Sequence, residues 1–273
     1  QIAGAGPAGL SAAITLARAG RRVRVHEARP DVGLRFDRDY QGLENWSSEQ
    51  DILEELAALG ITTDFRNQPF LNGLAYDAWD KAYPIQADRP LFYLVERGPR
   101  PGSLDHALLN QALELGVEIR FNSKLEQLPG EGILAIGPKA ADAIAVGYHF
   151  DTDMEDRFRV ICDDNLAPRG YAYLLIWNGQ GTVKSCMFSG FKQQQLYVDR
   201  TVAAFERLED LEMKNPVFHG GAGNFRIPRH GYSGKHPVAG EQAGFQDTLW
   251  GFGIRHAIKS GIHAVYQEFN LLS

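Results

Sequence analysis

Residues 1–28 read QIAGAGPAGLSAAITLARAGRRVRVHEA, and this stretch decides the fold. Gly4, Gly6 and Gly9 form a G-x-G-x-x-G, and Glu27 follows 23 residues after the first of them. The first glycine permits a tight strand-to-helix turn, the second lets a pyrophosphate approach the backbone, and the third lets the helix pack on the strand. Free N–H groups at the helix start would face phosphates, and Glu27 would accept hydrogen bonds from a ribose. The spacing predicts a β-α-β unit that binds an adenine dinucleotide.

The residues around the glycines supply the rest of that unit. Leu10 and Ile14 recur at helical spacing, and Gly20 follows as a stop for the helix. Val23 and Val25 alternate with arginine and histidine, as in a strand that leads to the acidic residue. A glycine-rich turn that binds nothing is therefore the less favoured interpretation, although the stretch alone leaves NAD and FAD equally open. Only three residues precede the first glycine, fewer than a buried strand usually has, so we infer that the sequence is trimmed.

The bulk composition excludes several classes of protein. With 273 residues, the chain is long enough for one large domain or two interleaved domains. The net charge of −6 gives no electrostatic reason to expect nucleic acid as a partner. Cys162 and Cys186 belong to no C-x-x-C pair, which indicates a reducing, cytoplasmic location and no zinc site. No apolar run reaches the roughly 18 residues that span a bilayer, so we expect no transmembrane segment, and only peripheral membrane contact stays open.

The segment after the first unit predicts one helix and several short strands. Residues 48–51 have capping-box spacing, with Ser48 as the cap, and the apolar residues that follow form a helical stripe ending at Gly60. Over residues 61–85, short apolar and aromatic runs are broken by turn residues. This pattern predicts two or three short strands that leave the first sheet.

Residues 91–121 predict a second β-α-β unit. Residues 91–95 form a strand-like run, Ser103 can cap a helix that ends at Gly116, and residues 117–121 alternate as a following strand. We therefore expect the nucleotide-binding domain to resume here after an excursion.

Residues 143–227 alternate in the manner of an antiparallel sheet. Asn178-Gly179 lies between two strand-like runs and is a good hairpin signal, with a helix expected near residues 193–208 and another strand near 218–227. We expect most aromatic residues of this sheet to be core, although such a sheet would also suit an apolar substrate. These aromatic residues are Tyr148, Phe150, Tyr171, Tyr173, Trp177, Phe188 and Phe191.

The last informative segment is residues 240–261, GEQAGFQDTLWGFGIRHAIKSG. Gly251 and Gly253 precede a helix with apolar residues at helical spacing. Glycine here removes side chains where a flat ring could lie against the backbone, and the helix start offers N–H groups to an anion or a ring carbonyl. Taken alone, this segment fits a helix start with nothing bound equally well.

Three motifs together resemble the glutathione-reductase-type FAD fold, in the branch that includes geranylgeranyl reductases and aromatic-ring hydroxylases. They are the glycine turn with its glutamate, Arg97 followed by Leu104-Asp105, and the segment 240–261. The resemblance implies an α/β protein with a Rossmann-like FAD-binding domain and an interleaved antiparallel β-sheet substrate domain. It places residues 1–60, 89–142 and 235–273 in the FAD-binding domain, and residues 61–88 and 143–234 in the substrate domain.

The resemblance also implies which residues bind the adenosine and phosphate half of FAD. Glu27, with Ala28 beside it, would bind the adenosine ribose, Arg35 would lie on the phosphate side, and Leu125 would lie near the adenine. The pyrophosphate would lie against Gly4, Gly6, Pro7 and Ala8.

The flavin half would be bound by later residues. Arg97 would hold the ribityl or phosphate region, and Glu241 stands where the family usually has the aspartate that contacts the ribityl chain. Gly251, Phe252 and Gly253 would border the isoalloxazine ring. A further departure from the family pattern is Thr248, which replaces a proline.

The resemblance implies an FAD-dependent oxidoreductase, with NAD(P)H as a candidate electron donor. The Lys-Ser-Gly ending of segment 240–261 and the YAYLLIW strand favour a reductase or dehydrogenase of an apolar, isoprenoid-like substrate, by hydride transfer through flavin N5. An FAD-dependent monooxygenase that uses NAD(P)H and O2 is the first alternative, although Ile136-Gly137-Pro138 replaces the Asp-Gly motif of the hydroxylases. A binding protein for flavin or lipid without turnover is the second alternative. The substrate would be a small apolar or aromatic molecule.

The sequence assigns no catalytic residue and no metal ligand. His149, Asp151 and Asp153 alternate in H-F-D-T-D, so in a strand they would share one face and could form a metal site or a proton relay. A solvated strand face is the favoured interpretation of such a cluster.

Overall fold

The computed structural model describes residues 1–138, 141–225, 231–247 and 250–269. Its strands are β1 (Ile2–Ala3), β2 (Arg24–His26), β3 (Tyr40–Glu44), β4 (Asn67–Phe70), β5 (Asn72–Tyr76), β6 (Ala82–Gln86), β7 (Phe92–Glu96), β8 (Glu118–Arg120), β9 (Ile133–Leu134), β10 (Ala143–Asp151), β11 (Arg157–Ile161), β12 (Tyr171–Trp177), β13 (Gln180–Met187), β14 (Lys214–Gly223), β15 (Tyr232–Ser233) and β16 (His236–Pro237). Its α-helices are α1 (Pro7–Arg18), α2 (Ile52–Ala58), α3 (Leu104–Glu114), α4 (Gln194–Glu209) and α5 (Ile254–Phe269).

A four-stranded parallel sheet, in the order β8-β2-β1-β9, forms the Rossmann-like part of the protein. Ile2 of β1 lies between Val25 of β2 and Ile133 of β9, and all three side chains are buried. Helix α1 packs against α3 and α5 in the same hydrophobic core. The predicted β-α-β unit of residues 1–28 is therefore confirmed. The strands of this unit are short, and each pairs with its neighbour over only two or three residues.

The predicted second β-α-β unit is wrong. Strand β7 pairs antiparallel with β3 and β4 in a separate three-stranded sheet, and only β8 joins the parallel sheet, beside β2. A buried run such as Phe92–Glu96 is compatible with either sheet, because its pattern shows burial but not the partner strand. Helix α3 is confirmed, and Ser103 caps it by accepting a hydrogen bond from the His106 N–H.

Helix α2 begins later than the capping-box pattern predicts. Asp51 is the N-cap, and its side chain accepts a hydrogen bond from the Leu53 N–H at 2.9 Å. Ser48 instead donates its hydroxyl to the Gln50 carbonyl oxygen. A carboxylate at this position is as good a cap as serine and adds favourable charge at the helix start. Gly60 ends the segment in the left-handed region, with φ +74°.

The large sheet has seven strands in the order β14-β10-β13-β12-β11-β5-β6. All its neighbours pair antiparallel except β5 and β11, which run parallel. The predicted hairpin is confirmed: Asn178 and Gly179 join β12 to β13, and both have positive φ, as a two-residue turn requires. Strand β14 starts at Lys214, before the predicted strand, and residues 226–227 of that prediction lie outside the described residues.

The two faces of the large sheet have different neighbours. Leu174 and Ile176 of β12 point toward α4 and share a core with Phe205 of that helix. The opposite face, which carries Phe158 and Val160 of β11, packs toward the three-stranded sheet. This second face therefore bounds the space between the large sheet and the rest of the protein.

The C-terminal segment returns the chain to the parallel sheet. Val238 forms a parallel bridge with Leu134 of β9, and residues 240–243 then form one turn of 3₁₀ helix before α5. A β-carbon at Gly261 of α5 would lie 2.1 Å from the carbonyl oxygen of Ala8, so only glycine allows this approach of α5 to α1. Among the described residues, no helix has the length and apolar character needed to cross a bilayer.

Candidate active site

A cavity of about 620 Å³ lies between the parallel sheet and the large sheet. It extends from the glycine turn to the start of α5 and the aromatic face of the large sheet. Ala28 is exposed and does not line it, and Leu125 packs instead with Leu128 and Ile136 in a small core cluster. The residues assigned to FAD by the resemblance that do line the cavity are Gly4, Gly6, Pro7, Ala8, Glu27, Arg35, Arg97, Glu241, Gly251, Phe252 and Gly253.

The glycine turn forms one end of the cavity. Gly4 has φ +99°, and a β-carbon there would lie 2.1 Å from the Ala135 carbonyl oxygen. A β-carbon at Gly9 would lie 1.9 Å from the Gly4 carbonyl oxygen, so α1 can approach β1 only with glycine at this position. Gly6 is different, because nothing lies within 4 Å of the place that its β-carbon would occupy. That space belongs to the cavity, so Gly6 leaves room for a ligand rather than for the protein.

Glu27 stands at the end of β2 and holds the loop beside the glycine turn. Its Oε2 accepts a hydrogen bond from the Ala5 N–H at 2.8 Å, and its Oε1 accepts one from the Arg29 N–H at 3.0 Å. Each carboxylate oxygen has further acceptor capacity. The geometry therefore leaves Glu27 able to accept hydrogen bonds from a ligand in the cavity.

Arg35 and Glu241 form an ion pair in the middle of the cavity wall. Arg35 Nη1 lies 2.8 Å from Glu241 Oε2, and the guanidinium also donates to the Ala222 carbonyl oxygen. Glu241 Oε1 accepts a hydrogen bond from the Asn224 N–H at 3.0 Å. The pair links the loop after β2 to the loop before α5, which are 206 positions apart.

Arg97 and Asp105 form a second, fully buried ion pair. Arg97 Nε and Nη2 donate to the two carboxylate oxygens of Asp105 at 2.7 and 2.9 Å, and Nη1 donates to Gln41. Burial opposes the charge, but Asp105 together with Asp39 and Glu241 outweighs burial and raises the pKa of Arg97. Asp105 also accepts from the Gly98 N–H at 3.0 Å. Arg97 and Asp105, the second of the three sequence motifs, thus form a bidentate ion pair that fixes the loop between β7 and α3.

The segment before α5 forms the opposite end of the cavity. Gly251 has φ +68°, and the Gln246 side chain donates to its carbonyl oxygen at 2.9 Å. The Phe252 ring packs on the rings of Trp46 and Phe92 at centroid distances of 5.3 and 5.2 Å. Thr248 lies outside the described residues.

Ser260 and Gly261 join α5 to the segment before it and to the start of α1. The Ser260 hydroxyl oxygen accepts a hydrogen bond from the Gly240 N–H at 2.9 Å and donates to the Ala257 carbonyl oxygen. Gly261 follows, where α5 touches the backbone of Ala8. The Ser-Gly pair of the third motif therefore joins α5 to the start of α1.

The face of the large sheet supplies an aromatic wall. Tyr171 and Tyr173 of β12 line the cavity, and the Tyr171 hydroxyl donates to the Trp250 carbonyl oxygen. Burial raises the pKa of both tyrosines well above its ordinary value, so both hydroxyls stay protonated. Of the aromatic residues singled out in the sequence, these two line the cavity. Tyr148 and Phe150 belong to the core on the α4 side.

A cluster of four charged or titratable residues lies beside the aromatic wall. The sequence analysis singled out only one of them, His149, and gave it other partners. Asp39 Oδ1 accepts a hydrogen bond from Lys184 Nζ at 2.6 Å, and both residues line the cavity. Lys184 Nζ also lies 3.1 Å from His219 Nδ1, and His149 Nε2 lies 3.8 Å from Asp39 Oδ1. Asp39 and Lys184 are 145 positions apart, so no local pattern links them.

Burial and charge set the protonation of this cluster. Burial alone would raise the pKa of Asp39, but Lys184, with smaller contributions from His149 and His219, outweighs burial and lowers that pKa from its ordinary value. Burial lowers the pKa of Lys184 against the opposing effect of Asp39. Burial also lowers the pKa of His149 to about 3 and lowers that of His219, so both imidazoles are neutral at neutral pH. The cluster therefore pairs Lys184 with the Asp39 carboxylate beside two imidazoles that are neutral at neutral pH.

The structure does not bring His149, Asp151 and Asp153 together. Strand β10 ends at Asp151, so Asp153 lies beyond the alternating part of the chain. The pairing of β10 with β14 also changes register between His149 and Asp151. His149 faces Asp39 and His219 instead.

Comparisons with known proteins place this geometry in a common fold. The NAD(P)-binding Rossmann-like domain family matches residues 2–44. By sequence, no curated protein matches the chain. Similar solved structures include a geranylgeranyl bacteriochlorophyll reductase-like protein from Thermoplasma acidophilum, with 20% identity and a TM-score of 0.76 over 97% of this chain and 76% of that one.

Other similar structures belong to different enzymes. The p-nitrophenol 4-monooxygenase of Pseudomonas putida DLL-E4 has 15% identity and a TM-score of 0.66, over 100% of this chain and 80% of that one. The myxobacterial chondrochloren halogenase, described as FAD-dependent, has 15% identity and a TM-score of 0.66, over 100% of this chain and 75% of that one. The expected fold is thereby confirmed: a Rossmann-like parallel sheet with a mostly antiparallel second sheet, as in the reductase-like protein.

Proposed function

We propose that this protein is an FAD-dependent oxidoreductase and, within that class, a reductase or dehydrogenase of an apolar substrate. The observation that carries the proposal is one continuous cavity that joins the glycine turn, the start of α5 and the aromatic wall. A site for the nucleotide alone would need only the first of these. The volume of this cavity, about 620 Å³, lies within the range of cofactor and substrate sites.

The residues present fit FAD. Gly6 leaves open space at the glycine turn, where the first N–H groups of α1 would face the pyrophosphate. Glu27 has acceptor capacity for the adenosine ribose, and Arg35 with Glu241 would border the phosphate and ribityl region. Phe252 and the glycines beside it would border the flavin ring. Bound there, the flavin would supply hydride transfer at N5.

Arg97 would support the cofactor site by holding a loop in place, rather than by a direct ionic contact with the cofactor. Its guanidinium is already bonded to Asp105 and Gln41 and is nearly inaccessible. We propose that it holds the loop between β7 and α3 against the cofactor side of the cavity. Ala28 and Leu125, which do not line the cavity, would lie outside the cofactor contacts.

The substrate would bind against the large sheet. The sheet presents Tyr171, Tyr173 and Leu175 to the cavity, and Trp46 and Phe92 line it as well. These side chains would exclude water and orient an apolar or aromatic molecule.

We propose the domain division that follows from this arrangement. Residues 1–60, 89–142 and 235–273 would form the FAD-binding domain, with the substrate domain in residues 61–88 and 143–234. The parallel sheet supports the first and the seven-stranded sheet the second, while β4 and β7 pair across the boundary. A cytoplasmic location, proposed from the cysteines, accords with this cofactor chemistry.

Flavin titrations test the cofactor assignment. Trp46 and Trp250 line the cavity, so quenching of tryptophan fluorescence should report binding. We expect FAD to bind, ADP to compete with it, and FMN to bind more weakly because it lacks the adenosine half. Equal binding of FAD and FMN without competition by ADP would refute a nucleotide site at the glycine turn.

Turnover under controlled oxygen tests the reaction class. With the FAD-loaded protein, we expect NADH or NADPH to bleach the flavin absorbance and an apolar acceptor to restore it without oxygen. Product formation that requires and consumes one O2 per turnover would instead identify a monooxygenase. A bound flavin that no pair of reductant and acceptor can cycle would identify a binding protein.

A further inference from the structure

Two tyrosines of β12 line the cavity, and their hydroxyls differ. Tyr171 and Tyr173 flank Ala172, which is buried on the α4 side, so both rings project from the cavity face of the sheet with centroids 6.0 Å apart. The Tyr171 hydroxyl is occupied, because it donates to the Trp250 carbonyl oxygen. The Tyr173 hydroxyl has no hydrogen-bond partner among the residues that the structure describes. Tyr173 therefore keeps a donor that the fold does not use.

The free hydroxyl is reached from the cavity. Tyr173 lies deep in the molecule, where burial raises the pKa of its phenol well above the ordinary value and keeps the donor protonated. The residue is nevertheless partly accessible. The hydroxyls of Ser11 and Thr182 are fully enclosed without a partner in the described part of the chain, and that of Tyr173 is not enclosed in this way. A group that is accessible at this depth faces the cavity that the residue lines.

The wall beside this hydroxyl is apolar. On the neighbouring strand β11, Val160 lies directly opposite Tyr173, and Phe158 lies opposite Leu175, the next residue of β12 on the same face. All of these residues line the cavity. On the other side, Lys184 of β13 lies opposite Tyr173, but its side chain is only 1% exposed and already paired, so it offers nothing to a ligand. The phenol is therefore a polar point in an apolar surface.

The position of Tyr173 favours the substrate over the cofactor as its partner. Tyr171 contacts the segment that would border the flavin ring, with its own ring 5.0 Å from that of Trp250. Tyr173 stands two residues further along β12. No ring contact or hydrogen bond joins it to residues 250–253 in the described part of the chain. Its hydroxyl is thus left to the molecule that lies against the sheet.

A single hydroxyl in an apolar wall selects for a neutral acceptor. A charged ligand group would lose its hydration there without gaining a counter-charge, which is unfavourable. A ligand hydroxyl brings a proton of its own, and between two hydroxyls one of the two protons stays without an acceptor. A buried donor left unpaired is costly. A carbonyl oxygen brings no donor, so one hydrogen bond from Tyr173 satisfies both groups.

We propose that Tyr173 determines substrate specificity, and that its hydroxyl donates a hydrogen bond to a carbonyl oxygen on an otherwise apolar substrate. The inference rests on the proposed function, because it takes the aromatic part of the cavity as the substrate site. It narrows the substrate class from apolar molecules in general to apolar molecules that carry a carbonyl group.

Three probes of matched shape test this assignment in the FAD-loaded protein by calorimetry. They are the ketone benzylacetone, the alkene in which a methylidene group replaces its carbonyl oxygen, and the alcohol formed by its reduction. We expect the ketone to bind more tightly than the alcohol, whose proton finds no acceptor. One neutral hydrogen bond predicts that the preference for the ketone over the alkene falls about twofold to tenfold in Tyr173→Phe.

Tyr173→Phe removes a hydroxyl that bonds to nothing in the described part of the protein, so the variant should fold as the parent does. Tyr148→Phe is the matched control, because Tyr148 belongs to the same sheet but packs with the core on the α4 side. This variant should keep the preference of the parent protein. Infrared difference spectra of isotope-labelled benzylacetone give a second readout: the carbonyl stretch should lie at lower frequency in the parent than in Tyr173→Phe.

Four results would overturn the assignment. They are a ketone preference that survives in Tyr173→Phe, an equal loss of preference in Tyr148→Phe, tighter binding of the alcohol than of the ketone to the parent protein, or no binding of any probe. The first would move the donor to another group, such as the indole N–H of Trp46 or Trp250, which also line the cavity.

The same titrations on the flavin-free protein separate this inference from the proposed function. A ketone preference that is present without FAD and lost with it would show that the hydroxyl serves the cofactor, which also overturns the assignment. If FAD itself fails to bind, the proposed function falls, and the flavin-free titrations still decide whether Tyr173 recognises a carbonyl group.

Discussion

Two glycines of the first turn allow the cofactor site and the fold to be perturbed separately. Gly9 lies inside α1, where a β-carbon would be 1.9 Å from the Gly4 carbonyl oxygen. Gly6 caps the same helix with φ −80°, and its β-carbon would meet nothing within 4 Å. Gly9→Ala therefore places a methyl group against backbone, and Gly6→Ala places one in the cavity.

The expected changes in stability differ in size. Overpacking costs about 1–3 kcal/mol, and alanine recovers about 1 kcal/mol of helix propensity over glycine. Because the collision at Gly9 is with a backbone atom, the upper part of the range applies, and we expect Gly9→Ala to lose about 2 kcal/mol. Gly6→Ala restricts the unfolded chain without strain in the folded one, which favours folding by about 0.4–1 kcal/mol, but alanine is a poorer N-cap than glycine by about the same amount. The two effects nearly cancel, so the stability of this variant should stay within about 0.5 kcal/mol of the parent protein.

Gly6→Ala should instead weaken FAD binding. The added methyl group fills the space where the pyrophosphate would approach, so we expect affinity for FAD to fall at least about tenfold. Urea unfolding of the flavin-free variants, with the slope of the transition as a control for the unfolded state, measures stability. Quenching of tryptophan fluorescence measures FAD binding.

Each variant can contradict the reasoning. Gly6→Ala with the FAD affinity of the parent protein would show that the open space at the turn is not the pyrophosphate site. Gly9→Ala with undiminished stability would show that α1 and β1 do not approach as closely as the structure has them. A Gly6→Ala variant that loses about 2 kcal/mol of stability, as expected for Gly9→Ala, together with FAD affinity would refute the claim that the two properties separate here.

Three further predictions concern buried groups. The pKa of His149 is lowered to about 3, so below about pH 6.5 the unfolded chain binds a proton at this residue that the folded chain does not bind. The free energy of unfolding should therefore fall by up to about 1.4 kcal/mol per pH unit down to pH 3. In urea unfolding, the midpoint of His149→Gln should depend less steeply on pH than that of the parent protein. Arg97→Met leaves the buried Asp105 unpaired and should cost about 3–5 kcal/mol, which Arg97→Met/Asp105→Asn should partly restore in the same assay. In the folded protein, iodoacetamide should modify the exposed Cys162 before Cys186, since Cys186 is buried and its burial raises the thiol pKa to about 11. Peptide mass spectrometry should show equal rates of modification for the two cysteines only after unfolding.

Most of the residues that the sequence assigned to a cofactor line the cavity. The glycine turn, Glu27 and the segment before α5 are local patterns, and all of them line the cavity. Arg97 and Asp105 were also recognisable as a motif, but their mutual ion pair was not, because the motif fixes spacing rather than side-chain direction. Ala28 and Leu125 were assigned by resemblance alone, and neither faces the cavity.

The sequence by itself determined the β-α-β unit, the hairpin at Asn178-Gly179 and the capped helix α3, since backbone turns and helical periodicity depend on neighbours a few residues apart. Only the tertiary structure decided that β7 joins β3 rather than the parallel sheet, because a buried run reveals its burial but not its partner. It also decided that Asp39 meets Lys184, since a contact over 145 positions depends on how the sheets pack around the cavity.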